Sequence, residues 1–308
     1  MISYYIYENG RMTETDTMSD GCWISVVSPT PQEIKLLIED MGLDSGFVRS
    51  ALDEEESSRI EREDDQTLII IDTPVPSTDA DDSKMFYTMP IGIIITDKNV
   101  ITVSLQEAQI ISEAVKGTIR NLRPEFKTRF VLQLLLRIAA LFLYYLKQID
   151  KISSLAEHQL HNAMKNELLM QLLALEKSLV YFSTSLKANE ATIEKIFRGR
   201  VIKLYDEDQD LLEDVLIEMK QAIEMASIYS GVLSSMTDGF SSVISNNLNI
   251  VMWRLTTVTI LMEIPNIIFA FYGINTVDLP LPYTWFSIAL AVVTTAIAAV
   301  ILIKWKKK

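Results

Sequence analysis

Between Leu255 and Tyr272 the only ionisable side chains are Glu263 and Tyr272, and between Trp285 and Ile303 there are none. Each run approaches the ~20 residues that a helix needs to cross the hydrocarbon layer. The second run is apolar on every face and stops at Lys304-Trp305-Lys306-Lys307-Lys308, a poor pattern for a helix buried in a water-soluble core. Two transmembrane helices are expected. Trp253 and Trp305 would mark one interface and Tyr272, Tyr283 and Trp285 the other. Arg254 precedes the first span and four lysines follow the second, whereas the connecting segment from Asn275 to Thr284 has neither Lys nor Arg. Positive charge stays on the cytoplasmic side, so a multi-pass protein of the cell (inner) membrane with both termini in the cytoplasm is expected.

Charge separates the rest of the chain from this end. The whole sequence of 308 residues carries −13; residues 249–308 hold five cations and two anions, net +3, which leaves −16 for residues 1–248. An acidic body of that size repels a polyanion, so nucleic acid is excluded as a partner. The single cysteine, Cys22, permits neither an internal disulfide nor a Cys-based zinc site. Met1 to Gly10 lacks the basic and then apolar pattern of a secretory leader, and none is expected.

Residues 1–122 read as a small α/β domain. Trp23 to Ser28 is a short apolar strand, and Thr30-Pro31-Gln32-Glu33 supplies an N-cap, a proline at the first helical position and a capping-box glutamate for a helix through Met41. A second helix is expected from Ser45 to about Glu56. Strands are expected at Thr67–Asp72, Met85–Thr96 and Val100–Val103, the last two joined by a turn at Asp97-Lys98-Asn99. The acidic stretch from Thr73 to Ser83 reads as a loop. Residues 123–250 form a long-helix bundle and stalk: Phe126 to about Ala163 and Lys165 to about Phe197 as an antiparallel pair, then a helix from Asp206 that meets no proline until Pro265. Residues 251–308 form the two-span domain, with a short outer loop at 275–284.

The last long helix carries two interleaved heptad patterns. Leu212, Val215, Met219, Ala222, Ala226, Tyr229, Leu233, Met236, Phe240 and Val243 form an apolar seam for lengthwise packing. Gly231, Ser235, Asp238, Ser242, Ser245, Asn249, Met252, Thr256, Thr259, Glu263, Asn266, Ala270 and Gly273 form the second, polar or small everywhere but Met252. A carboxylate inside a span costs of order 2 to 3 kcal/mol unless it faces water or polar partners. The second span offers only Ser287, Thr294 and Thr295 as such partners, so the stripe is better satisfied by copies of the same helix enclosing a wet channel. At ~1.5 Å per residue, Gly231 to Gly273 would line about 60 Å of it. Pro265 should kink the helix by freeing the carbonyl of Leu261.

Tyr272-Gly273-Ile274-Asn275 closes this helix, followed by a short acidic loop, the second span and a Lys/Trp tail. The arrangement resembles the CorA-type magnesium transporter family, whose mark at that place is Tyr-Gly-Met-Asn, and the resemblance covers the whole chain. It implies an α+β cytoplasmic domain, a long helical stalk and two transmembrane helices, assembled as a funnel-shaped homopentamer in the lipid membrane. Tyr272, Gly273, Ile274 and Asn275 would form the selectivity filter, with amide oxygens of Asn275 accepting hydrogen bonds from the waters of a hydrated ion. Ser245, Asn249, Met252, Leu255, Thr256, Thr259, Glu263, Asn266 and Ala270 would line the pore, with Asn275, Glu263, Asn266 and Asn249 as metal contacts. Asp238 falls on a stalk carboxylate of a regulatory divalent-ion site, while its family partner on the N-terminal domain aligns with Ser50; Asp53, or Glu54, is the nearest replacement. Three positions depart from the family pattern: Asn266 for a threonine, Glu263 for a methionine, Ile274 for the motif methionine.

The expected function is divalent cation transport, Mg²⁺ foremost, through a pore driven by the membrane potential and closed by cytoplasmic Mg²⁺. No cofactor beyond the transported or regulating ion is expected. Within the family, Zn²⁺, Co²⁺ or Ni²⁺ transport is an alternative; a membrane-anchored binding protein that conducts nothing is another. The pore stripe has neither His nor Cys, which favours hard ions over Zn²⁺. An enzyme is excluded: no P-loop or HExxH occurs, and His158 and His161, the only histidines, read as helix surface.

Overall fold

A computed structural model describes residues 1–77, 86–160, 166–199, 202, 204–274, 280, 281 and 283–306. The chain forms two compact units, Met1–Thr237 and Asp238–Lys308.

The first unit is built on a seven-stranded mixed sheet. Its strands are β1 (Ile2–Glu8), β2 (Arg11–Thr15), β3 (Trp23–Val27), β4 (Arg59–Glu63), β5 (Gln66–Pro76), β6 (Phe86–Ile95) and β7 (Val100–Ser104), in the order β2-β1-β3-β7-β6-β5-β4. Only the β3–β7 pair is parallel. Asn9 and Gly10, both at positive φ (52° and 80°), turn β1 into β2, the two-residue hairpin that Asn-Gly favours. Asp97 and its neighbours join β6 to β7, with Ile95 opposite Val100.

Helices α1 (Pro31–Glu39) and α2 (Ser45–Ser50) cover one face. The expected capping box is present: the Glu33 N–H donates to Thr30 Oγ1 at 3.3 Å, and Glu33 Oε2 accepts from the Thr30 N–H at 2.7 Å. Leu37, Phe47, Val48 and Ala51 meet Ile24, Val26, Leu68, Ile70, Ile94, Ile101 and Val103 in a closed core. Ile69 and Ile71 alternate to the other face, which α4 (Lys127–Leu160) and α5 (Asn166–Gly199) cover. Burial on both faces explains why Leu68 to Ile71 is continuously apolar rather than alternating. Trp23 sits on this side, fully buried; its indole N–H donates to Thr102 Oγ1 at 2.9 Å and its ring lies 5.6 Å from that of Phe130.

Several sequence expectations change. The helix expected from Ser45 to Glu56 ends at Ser50, with Ala51 as its C-cap; Asp53 to Glu56 form turns beyond it, not a helix end. The strand expected to stop at Asp72 continues to Pro76, because Phe86 to Pro90 run opposite it. Thr73 to Pro76 are therefore strand rather than loop, and the acidic residues 78–83 lie outside the described residues. Helix α3 (Gln109–Val115) is fastened to α4 by Arg137, whose Nη2 donates to Glu113 Oε1 at 2.9 Å. His158 lies in α4, and His161 lies outside the described residues.

Candidate functional site

Helix α6 (Asp206–Tyr272) is continuous through both heptad patterns. In the first unit its apolar seam is buried at Leu212, Val215, Met219, Ala222, Ala226 and Leu233. In the second unit every described residue from Ser241 onward, except Ser287 and Ala291, is exposed or half-buried in the single chain. Three helices among the described residues are long and apolar enough to cross a membrane: α4, α6 and α7 (Thr284–Lys306). The apolar window of α4 is 67% buried inside the first unit, whereas that of α6 is 0% and that of α7 11% buried. Helix α4 buries most of its apolar window in the core of the first unit, whereas those of α6 and α7 stay largely open in the single chain.

Within the second unit, the exposure pattern of α6 divides its faces. Trp253, Thr257, Leu261, Ile264, Pro265, Ile268 and Tyr272 are half-buried, and Leu261, Pro265 and Phe269 line an apolar groove with Ile288, Ala291 and Thr295 of α7. The polar stripe is different. Ser245, Asn249, Met252, Thr256, Thr259, Glu263, Asn266, Ala270 and Gly273 are exposed, all of them. At 3.6 residues per turn this stripe lies about half a turn from the α7 face. Leu255 flanks it and is also exposed.

The hydroxyls of α7 do not reach across. Ser287 donates to the Thr284 carbonyl at 2.9 Å, Thr294 to that of Leu290 at 2.7 Å and Thr295 to that of Ala291 at 2.7 Å. On α6, Thr256 and Thr259 likewise donate to the carbonyls of Met252 and Leu255, the usual way a hydroxyl is satisfied in an apolar helix. Stitching of Glu263 or Asn266 to the second span is absent among the described residues.

Gly273 ends the helix without entering the left-handed region. Its N–H donates to the Phe269 carbonyl at 2.9 Å, and a Cβ placed on it would stand 3.1 Å from that same oxygen. The glycine thus permits a tight last turn rather than a φ reversal. Tyr272 lies on the α7 side: its hydroxyl donates to the Pro280 carbonyl at 3.3 Å and its ring lies 6.4 Å from that of Phe286. It ties the helix end to Pro280, ahead of α7. Ile274 is exposed, and Asn275 lies outside the described residues.

A family model described as CorA-like Mg2+ transporter protein matches residues 19–307. The chain belongs to that family. Its members are transporters, not enzymes. The cobalt/magnesium transport protein CorA of Methanocaldococcus jannaschii is 29% identical over 287 residues, which cover 88% of this chain and 86% of the relative. The complete structure of that organism's CorA magnesium transporter matches with a TM-score of 0.80 at 24% identity, covering 100% of this chain and 98% of the other. The full-length CmaX protein has the same fold at a TM-score of 0.70 and 13% identity, covering 100% and 96%.

The residues that the resemblance offers for a regulatory ion site are described within their own units. Asp238 is exposed in the second unit, and Asp53 is exposed in the first, accepting from the Glu55 N–H at 3.0 Å. Ser50 accepts from Arg59 Nη2 at 3.1 Å, and Arg59 also pairs with Glu56 and with Glu61 at 3.3 Å. Arg59 was not singled out from the sequence; an arginine among Glu54, Glu55, Glu56 and Glu61 was the signal available. Among the described residues no three His, Cys, Asp or Glu converge within one chain to hold a metal ion.

Proposed function

We propose that this chain transports divalent cations, Mg²⁺ foremost and Co²⁺ with it, through a homopentameric pore lined by the polar stripe of α6. The observation that carries the reading is the separation of faces: the stripe from Ser245 to Gly273 stays exposed opposite α7, while the α7 hydroxyls satisfy their own backbone. A hydrophilic edge of that length is stable in lipid only when identical edges enclose water. Asn275 forms the outer selectivity ring, with Gly273 and Ile274 setting its backbone approach and Tyr272 bracing the loop behind it. Asn249, Met252 and Leu255 line the cytoplasmic mouth; Thr256, Thr259, Glu263, Asn266 and Ala270 line the path between.

Both termini lie in the cytoplasm of a cell whose inside-negative potential supplies ~2.3 kcal/mol per elementary charge per 100 mV, about twice that for a divalent ion. No cofactor or nucleotide is needed. Cytoplasmic Mg²⁺ closes the pore through Asp238 and Asp53. Apart from the Met252 thioether the donors on the stripe are oxygens, with neither imidazole nor thiolate, which favours hard cations over Zn²⁺. Reconstituted full-length protein under an inside-negative potential should admit Mg²⁺ and Co²⁺ faster than Zn²⁺, and the solubilised complex should weigh five chains. Liposomes that stay closed to every divalent ion would leave a membrane-anchored binding protein as the reading.

A further inference from the structure

We propose that Glu263 is the charged centre of a second cation-binding ring inside the membrane, separate from the Asn275 motif and resting on the pore reading above. It lies eight residues into the run that begins at Leu255, is exposed on the polar stripe, and has no partner among the described residues. Neither span contains Lys or Arg between Leu255 and Ile303. Arg254 is nine residues away, about 14 Å along the helix.

Identity of the copies makes this informative. Any other subunit of the same chain presents the same sequence at the same depth, so no neighbour can supply a counter-charge. Within its own subunit, α7 is equally unhelpful, since the hydroxyl protons of Ser287, Thr294 and Thr295 are given to their own helix. The remaining source of positive charge is the ion that passes.

The surroundings have the donor set of a hard cation. Thr259, one turn below, gives its proton to the Leu255 carbonyl at 2.9 Å and keeps oxygen lone pairs for the path. Asn266, almost one turn above, adds an amide oxygen. Carboxylate, amide and hydroxyl oxygens without imidazole or thiolate suit Mg²⁺ or Ca²⁺-like ions and their water shells. The ring attracts a divalent cation into the low-dielectric zone, where bare passage is most costly, and excludes anions there.

Two measurements on the full-length protein test this. In proteoliposomes, Glu263→Gln should raise the half-saturating Mg²⁺ concentration about tenfold, while Glu263→Asp, which keeps the charge, stays close to wild type. In the solubilised wild type, reaction of Glu263 with a hydrophobic carbodiimide, read by peptide mass, should slow about tenfold when MgCl₂ is added. A wild type that conducts Mg²⁺ beside an unchanged Glu263→Gln, or labelling indifferent to Mg²⁺, overturns the Glu263 ring and leaves the pore standing. A wild type that passes no divalent ion overturns the pore reading itself.

Discussion

The side chain of Asn189 on α5 grips the main chain of Asp72 on β5 in both directions: its Nδ2 donates to the Asp72 carbonyl and its Oδ1 accepts from the Asp72 N–H, each at 2.9 Å. Strand β4 begins at Arg59 opposite Ile70, and on the other side Asp72 faces Pro90, which has no N–H. The amide of Asn189 takes the place of a neighbouring strand and fixes the helical pair to the sheet. Asn189 is fully buried. Asn189→Ala leaves the partly buried N–H and carbonyl of Asp72 without this partner and should destabilise the solubilised full-length protein by roughly 1 to 3 kcal/mol, measured by denaturant unfolding of its first unit.

The carboxyl of Asp72 beside this clamp is pushed above the usual carboxylate range by burial, against which hydrogen bonds from Ser185 and Ser58 act. A folded state that holds the proton more tightly than the unfolded chain loses stability as pH rises from the ordinary carboxylate range through the raised value. Asp72→Asn should remove that loss. The difference in stability between variant and wild type should therefore grow with pH across this window and then level off. A flat difference would show that Asp72 titrates alike in both states. Glu113 behaves oppositely: burial pushes its pKa up, but hydrogen bonds from Arg137 and Gln109 with the charges of Arg137 and Lys116 together outweigh it and lower the pKa.

Gly92 in β6 faces α2 at contact distance. A Cβ there would overlap the Cβ of Ala51 and stand 3.2 Å from its Cα. Since backbone sits behind that methyl, α2 cannot yield by a rotamer change, and Gly92→Ala should cost roughly 1 to 3 kcal/mol. The paired variant Ala51→Gly with Gly92→Ala should recover most of the loss in the same unfolding measurement.

Patterns of strict period are legible in the sequence. The α6 stripe repeats every three and four residues over more than forty positions, so its face was determined by helical geometry alone, and Thr30 with Glu33 announced α1 through a local capping reaction. Features held by distant partners were not readable. Strand β4 is Arg-Ile-Glu-Arg-Glu, too charged to look like a strand, and it forms because it can pair along β5 at the sheet edge. In the site, the position of Tyr272 on the α7 face depends on Phe286 and Pro280, fourteen and eight residues away, and the grip of Arg59 on Ser50 depends on a strand the pattern hid.

The tight end of α6 can be tested at Gly273. With a Cβ 3.1 Å from the Phe269 carbonyl, Gly273→Ala must open the last turn by a few tenths of an ångström and, on the proposed pore reading, shift whatever the following residue presents to the path. Transport of Mg²⁺ in proteoliposomes should fall roughly tenfold or more, while the mass of the solubilised complex stays that of the wild type.

The division of α6 into two faces is open to a direct chemical test, because the chain has one cysteine, Cys22, and it is fully buried. Background disulfide formation is therefore low without further engineering. If the polar stripe encloses the path, Met252→Cys or Thr256→Cys brings identical thiols from adjacent copies close to one axis, within the ~6 Å between Cα atoms that a disulfide requires or a small excursion from it. Mild oxidation in the membrane should then convert most of either variant to covalent dimers on a non-reducing gel. Val293 on α7 is 55% exposed in the single chain but would face lipid in this arrangement, so Val293→Cys should remain monomeric under the same oxidation. The reverse result, dimers through Val293→Cys and none through Met252→Cys or Thr256→Cys, would turn the helix around and place its hydrophilic edge away from any shared axis.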